Sequence, residues 1–166
     1  MPFTATDYGR SIDIEGRAGK ILAHVNHNKI NTFNAHTDVI AYGSALVRGT
    51  KYDDAVAPTA TGGEFIGIAI REVTDETYFN TNGDSGYDIG QYFTRLTVGL
   101  IYVPVETDIA IGDPVFFRHT DNGALVGNFF RNDADTANAD EITAGAKWFK
   151  PALAGELAIL ELNLPV

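Results

Sequence analysis

An isoleucine at every second position is the strongest constraint in this chain. From Phe65 to Arg71, Ile66, Ile68 and Ile70 project to one face of an extended backbone, while Phe65, Gly67, Ala69 and Arg71 project to the other. The same period governs Gln91 to Val105, where Leu96, Val98, Leu100 and Tyr102 alternate with their neighbours, and β-branched Thr94 and Thr97 stiffen the run. Near the C-terminus, Leu157 and Ile159 lie opposite Ala158, Leu160 and Leu162. Shorter candidates are 20–25, 39–41, 44–48, 114–118, 125–130 and 147–149. Turn formers separate them: Asn82-Gly83, Gly112-Asp113-Pro114 and Asn122-Gly123. Seventeen glycines and the lack of any amphipathic run of helical length complete the pattern. They predict an all-β fold, a small barrel or sandwich of short antiparallel strands, whose closure removes exposed strand edges. The expected core is Ile66, Ile68, Ile70, Leu96, Val98, Leu100, Leu157 and Ile159.

A chain of 166 residues fits one domain. Its 45% hydrophobic content suffices for a core without staples, and it has no cysteine for disulfides, thiolate metal sites or thiol nucleophiles. The start lacks the apolar stretch of a secretion signal, and no run approaches the ~20 apolar residues of a spanning helix. A soluble protein is expected. The net charge of -10 repels phosphate backbones and anionic lipid, so neither nucleic acid nor membrane is an expected direct partner. The charge is uneven. The first 50 residues hold five basic and four acidic side chains, the remainder seven and 18.

Two segments break the strand pattern. Residues 1–19 are polar, with isolated apolar side chains at Phe3, Tyr8, Ile12 and Ile14. Lacking a local core, they read as an extended N-terminal arm that orders against a partner, with those four residues as anchors. A frayed terminus is the plainer alternative. The segment 132–146 carries Asp133, Asp135, Asp140 and Glu141 with no basic residue before Lys147, which suggests a solvated loop, with one short helix as the alternative. The expected organisation is an arm over 1–19 and a barrel over 20–166, with loop insertions near 75–90 and 132–146.

The chemical motifs are thin. Gly83-Asp84-Ser85-Gly86 resembles a serine nucleophile turn, but Tyr87 stands where a second glycine is needed, and His24, His27, His36 and His119 have no protease context. Asn80, Asn82, Asp84, Gly86 and Asp88 alternate like calcium ligands, yet Ser85 and Gln91 occupy the positions an EF-hand gives to glycine and glutamate. His24 and His27 point to opposite faces of a strand, so shared zinc ligation needs a turn and a third ligand. No catalytic residue, cofactor site or metal site is assigned, and no enzyme activity is expected.

Three ordered segments carry a family resemblance: Val39–Gly49 as strand, glycine turn and strand; Phe65–Ala69 before a polar loop; and Val98–Val103 leading to Ile109–Phe117. With Ala146–Phe149 and Gly155–Leu162 as a closing hairpin, the order resembles the structural cement, or capsid decoration, proteins of tailed bacteriophages over roughly 18–163. The resemblance implies a non-enzymatic barrel on the outer surface of an icosahedral virion shell. Its implied partners are the major capsid protein and its own copies, as a homotrimer or a homodimer, with the trimer favoured. The acidic loop 75–88 and the segment 132–146 depart from the family pattern. A calcium- or carbohydrate-binding β module of adhesin type is the alternative, resting on Asn80–Asp88 with Tyr78, Tyr87 and Tyr92 nearby. A hydrolase using Ser85 is a third.

Overall fold

The structure, a computed structural model, describes residues 17–22, 28–34, 39–51, 53–71, 86–120 and 129–165. Twelve strands run through them: β1 (Asn28–Asn34), β2 (Ile40–Ala41), β3 (Ala45–Arg48), β4 (Asp54–Val56), β5 (Phe65–Ala69), β6 (Gly86–Tyr87), β7 (Tyr92–Pro104), β8 (Phe116–Arg118), β9 (Phe130–Arg131), β10 (Ala139–Glu141), β11 (Ala146–Lys150) and β12 (Leu157–Asn163). The fold is all-β, as the alternation predicts.

The large sheet runs β1-β4-β3-β5-β7-β12-β11, and β1 pairs again with β7. That second pairing closes β1, β4, β3, β5 and β7 into a ring, which leaves no free edge among the five. β7 is the spine. Its first half pairs with β1 and β5, and its second half with β12, where Leu160 faces Ile101 and Ala158 faces Val103. A three-stranded sheet, β10-β8-β9, packs on this body through Phe117, Phe130 and Ile142, which share one core with Ile68, Ile101, Val103, Trp148 and Leu160. A small β2–β6 pair contributes Ile40 and Tyr87 to a second core with Leu46, Ile66 and Phe93.

Register shifts interrupt the alternation in three pairings, β1–β7, β3–β5 and β11–β12, and the first two move the core away from expectation. In β5, Leu46 pairs with Gly67 and Val47 with Phe65, so Ile66 is the extra residue. Ile68 and Ile70 enter the main core, but Ile66 turns into the second one. In β7, Asn28 pairs with Val98 and Lys29 with Leu96, skipping Thr97. Beyond that point the core-facing set becomes Ile101, Val103 and Val105, while Val98 is half-buried and Leu100 is buried outside the main cluster. In β12 the inward set is Ala158, Leu160 and Leu162; Leu157 is only half-buried and Ile159 is buried outside that cluster.

Four strands are unanticipated: β1, β4, β6 and β10. β1, Asn-Lys-Ile-Asn-Thr-Phe-Asn, is too polar to read as a strand and is held by backbone pairing along β7. The expected strand at 20–25 reduces, in its described part, to an isolated bridge from Ile21 to Ile101. The segment 132–146 is not a featureless solvated loop. It contains a three-residue 3₁₀ turn at Asp135–Ala137, strand β10 and the buried Ile142. Two of its acids, Asp133 and Asp135, find cations outside the segment, in Arg118 and Arg131.

Candidate interaction surface

The four anchors expected in the arm, Phe3, Tyr8, Ile12 and Ile14, lie outside the described residues. The first described residues, from Arg17, are tied firmly to the barrel. The Gly19 amide donates to the Tyr102 carbonyl (2.8 Å), the Tyr102 amide to Lys20 (3.0 Å) and the Leu22 amide to Leu100 (3.0 Å). The Arg71 amide donates back to the Gly19 carbonyl (2.8 Å). A Cβ at Gly19 would stand 2.9 Å from backbone atoms of Gly43, Ala69 and Arg71, so only glycine fits this crossing.

Among the described residues, five large apolar side chains are more than half exposed: Ile89, Tyr92, Ile111, Phe149 and Leu153. They fall at the two ends of β7, whose 13 residues span about 40 Å. Ile89 and Tyr92 flank the turn that enters the strand. At the far end an isolated bridge between Ile109 and Ala152 brings two turns alongside each other, displaying Ile111 and Leu153, with Phe149 on the adjoining β11. Both turns are braced by carboxylates. Asp113 accepts the Ala110 amide (2.9 Å) and the Asn132 side-chain amide (3.1 Å). Glu156 accepts the Leu153 amide (3.1 Å), and Asp108 the Ala154 amide (2.9 Å). The Ala110 and Asn132 donors hold the Asp113 carboxyl below its ordinary value. These apolar tips are missed by a search for alternation, but a signal exists. Ile89-Gly90, Ile111-Gly112 and Leu153-Ala154-Gly155 each place a large apolar residue just before a glycine of positive φ, where a turn gives it no core to enter.

Behind this end lies a buried ion cluster. The Arg118 guanidinium, with a side chain 1% exposed, donates to both Glu106 oxygens (2.7–3.1 Å), to Asp135 Oδ2 (2.6 Å) and to the Thr120 carbonyl (3.0 Å). Arg131 donates to the same Glu106 (2.8 Å), lies 3.1 Å from Asp135 and donates to Asp133. Two guanidiniums thus face two largely buried carboxylates, with exposed Asp133 as a fifth member. The Glu106 hydrogen bonds raise the Arg118 pKa against the opposing effect of burial, so the cation is secure.

The described residues hold no group of three His, Asp or Glu side chains placed for a metal. His24, His27, His36 and Ser85 lie outside them, as do residues 80–85 of the proposed calcium loop. His119 is buried, with Nδ1 2.8 Å from Thr120 Oγ1 and Nε2 3.6 Å from Asp140. That Asp140 is already engaged by the Thr61 hydroxyl (2.8 Å) and the Gly62 amide (2.7 Å), so it serves as a clasp between β10 and the turn before β5. A mixed cleft of about 370 Å³ runs beside the clasp, lined among others by Ile30, Arg48, Phe65, Arg95 and Ile142.

The structure thus joins a ring of strands to exposed apolar side chains at both ends of its longest strand. The sequence matches, over residues 3–163, the family described as structural cement protein (E217 gp24/Pam3 gp6), and the chain belongs to that family. It is therefore a structural protein of the phage virion, placed on the capsid and associated with capsid proteins. A chain from the structure titled "The capsid of Myoviridae Phage XM1" has a similar fold, with a TM-score of 0.69, 18% identity and 89% of each chain covered. Among curated proteins none matches.

Proposed function

We propose that this protein is a non-enzymatic clamp on the outer surface of an icosahedral phage shell, where it bridges neighbouring major capsid protein subunits. The arm over residues 1–19 grips the shell through Phe3, Tyr8, Ile12 and Ile14, and the barrel over 20–166 supplies the rigid body. The apolar tips at the ends of β7 add contacts on separate neighbours. The protein acts as a homotrimer. A shell filled with DNA is pushed apart where its subunits meet, and several weak attachments made together hold far better than one. Three copies related by a three-fold axis close into a ring, as a cyclic contact requires. The observation that carries this reading is the family match itself, which begins at residue 3 and so takes in the arm as well as the barrel. No observation favours the calcium- or carbohydrate-binding alternative.

Deleting residues 2–15 tests the arm. The truncated chain is expected to fold, with an unchanged circular dichroism spectrum, and to stop co-sedimenting with empty expanded shells. Full occupancy of the shells by the truncated protein would remove the arm from the contact. The mass of the free protein by sedimentation equilibrium separates trimer from dimer and monomer.

A further inference from the structure

The turn at Asp135–Ala137 is wound the wrong way for its residues. Asp135, Thr136 and Ala137 have φ of 42°, 55° and 72°, the left-handed region that a side chain disfavours and a β-branched residue disfavours most. None of the three is glycine, and Thr136 and Ala137 are exposed, so no packing rewards the conformation. Local hydrogen bonds and charge hold it: the Asn138 amide donates to the Ala134 and Asp135 carbonyls (3.0 and 3.1 Å) and the Asp135 amide to Asp133 Oδ1 (3.0 Å), and the Asp135 carboxylate is paired. Asp135 Oδ2 sits 2.6 Å from Arg118 and 3.1 Å from Arg131, the two guanidiniums that also share Glu106. The turn in turn positions Asn138, whose carbonyl accepts the His119 (3.0 Å) and Thr120 (3.2 Å) amides. It then leads directly into β10, where Asp140 clasps Thr61 and Gly62 across 78 residues of sequence.

We infer that Asp135 is an electrostatic lock on a strained turn, so that removing its charge releases residues 132–141 locally while the barrel stays folded. The lock reaches the cleft beside β10, because the clasp that closes one wall of it depends on β10 staying in place. Arg118, Arg131, Glu106 and Asp133 are the charged groups around Asp135. With its charge gone the two cations keep Glu106, and only the turn's own hydrogen bonds oppose the return of Thr136 to a right-handed conformation. This rests on the turn geometry and its ion pairs and is independent of what the protein binds.

Hydrogen exchange of the intact chain tests the lock. In Asp135→Asn, the amides of His119, Thr120, Asn138 and Ala139, and the distant Gly62 amide, are expected to exchange at least ten-fold faster, while those of β7 from Leu96 to Val103 are unchanged. Exchange that stays the same at these sites, or rises equally along β7, overturns the proposal. Thr136→Gly provides the converse, because it removes the strain at the β-branched centre of the turn without touching the ion pairs. In the otherwise native chain it is expected to slow exchange at the same amides, and combined with Asp135→Asn to recover most of the lost protection. Faster exchange in Thr136→Gly alone shows that the turn is not strained and also overturns the proposal.

Discussion

Gly67 sits where the β5 bulge brings two backbones together. Its φ is +143°, and a Cβ there would stand 2.4 Å from the Leu96 carbonyl oxygen of β7. Both the conformation and the space exclude a side chain, and the atom in the way is backbone, which cannot swing aside. Gly67→Ala is expected to destabilise by about 2–4 kcal/mol, with the Tm falling roughly 2–4 °C for each kcal/mol. Arg118 presents the opposite case, a residue whose loss leaves something behind. Replacing it by Met strands Glu106, 3% exposed, with Arg131 as its remaining cation, and leaves Asp135 half-compensated. Breaking a buried pair in this way costs about 3–5 kcal/mol. Urea unfolding of Arg118→Met should show a lower midpoint with an unchanged slope, whereas Arg48→Met, which breaks the exposed pair with Glu64, should shift the midpoint by less than about 1 kcal/mol equivalent.

At the scale of elements, period two was enough to find the strands with dense apolar alternation: β3, β5, β7, β11 and β12 all overlap the segments read from sequence. It could not show that β7 switches faces at Thr97, because a bulge is a property of the pairing and not of one strand. β1 and β10 were invisible for a related reason. Their stability comes from backbone hydrogen bonds to β7 and β8, which leave no mark in hydropathy. The acids of 132–146 looked solvated because Arg118, one of the two cations that bury Asp135, lies 17 residues upstream. Of the candidate surface, the arm expected over 1–19 lies almost wholly outside the described residues, whereas the turn tips were written in the glycines that follow them. The braced turns carry a pH dependence. The carboxyls of Asp113 and Glu64 are held below their ordinary values, Asp113 by the Ala110 amide and then Asn132, Glu64 by its hydrogen bond to Arg48. A depressed carboxyl adds stability that is present above its unfolded pKa and is lost as pH falls through the folded one. The wild-type urea midpoint should therefore decline with acid more steeply than that of an Asp113→Asn, Glu64→Gln double variant, with the difference confined to pH values below the ordinary carboxylate range. Equal slopes would show that neither group couples to folding.

For the molecule as a whole, the separation of the two apolar ends is what distinguishes a bridge from a simple adhering patch. A side chain more than half exposed adds little to the fold of the free chain, so its removal there is nearly silent. The same side chain buried in a contact is worth ~1.5–3 kcal/mol. Ile111→Ser with Leu153→Ser is thus expected to leave the Tm of the free protein within about 4 °C of wild type, since each surface change of this kind stays near 0.5 kcal/mol. On the shell, if both tips are engaged, each copy loses an amount that weakens occupancy at least ten-fold, and the deficit multiplies across copies that bind as one unit. Titrating wild-type and variant protein onto empty expanded shells and quantifying the bound fraction reads this directly. Ile89→Ser with Tyr92→Ser addresses the other end of β7 in the same assay. Loss from both pairs is the signature of a bridge with separate neighbours at its ends; loss from one pair alone assigns the contact to that end; full occupancy by both variants removes the tips from the contact.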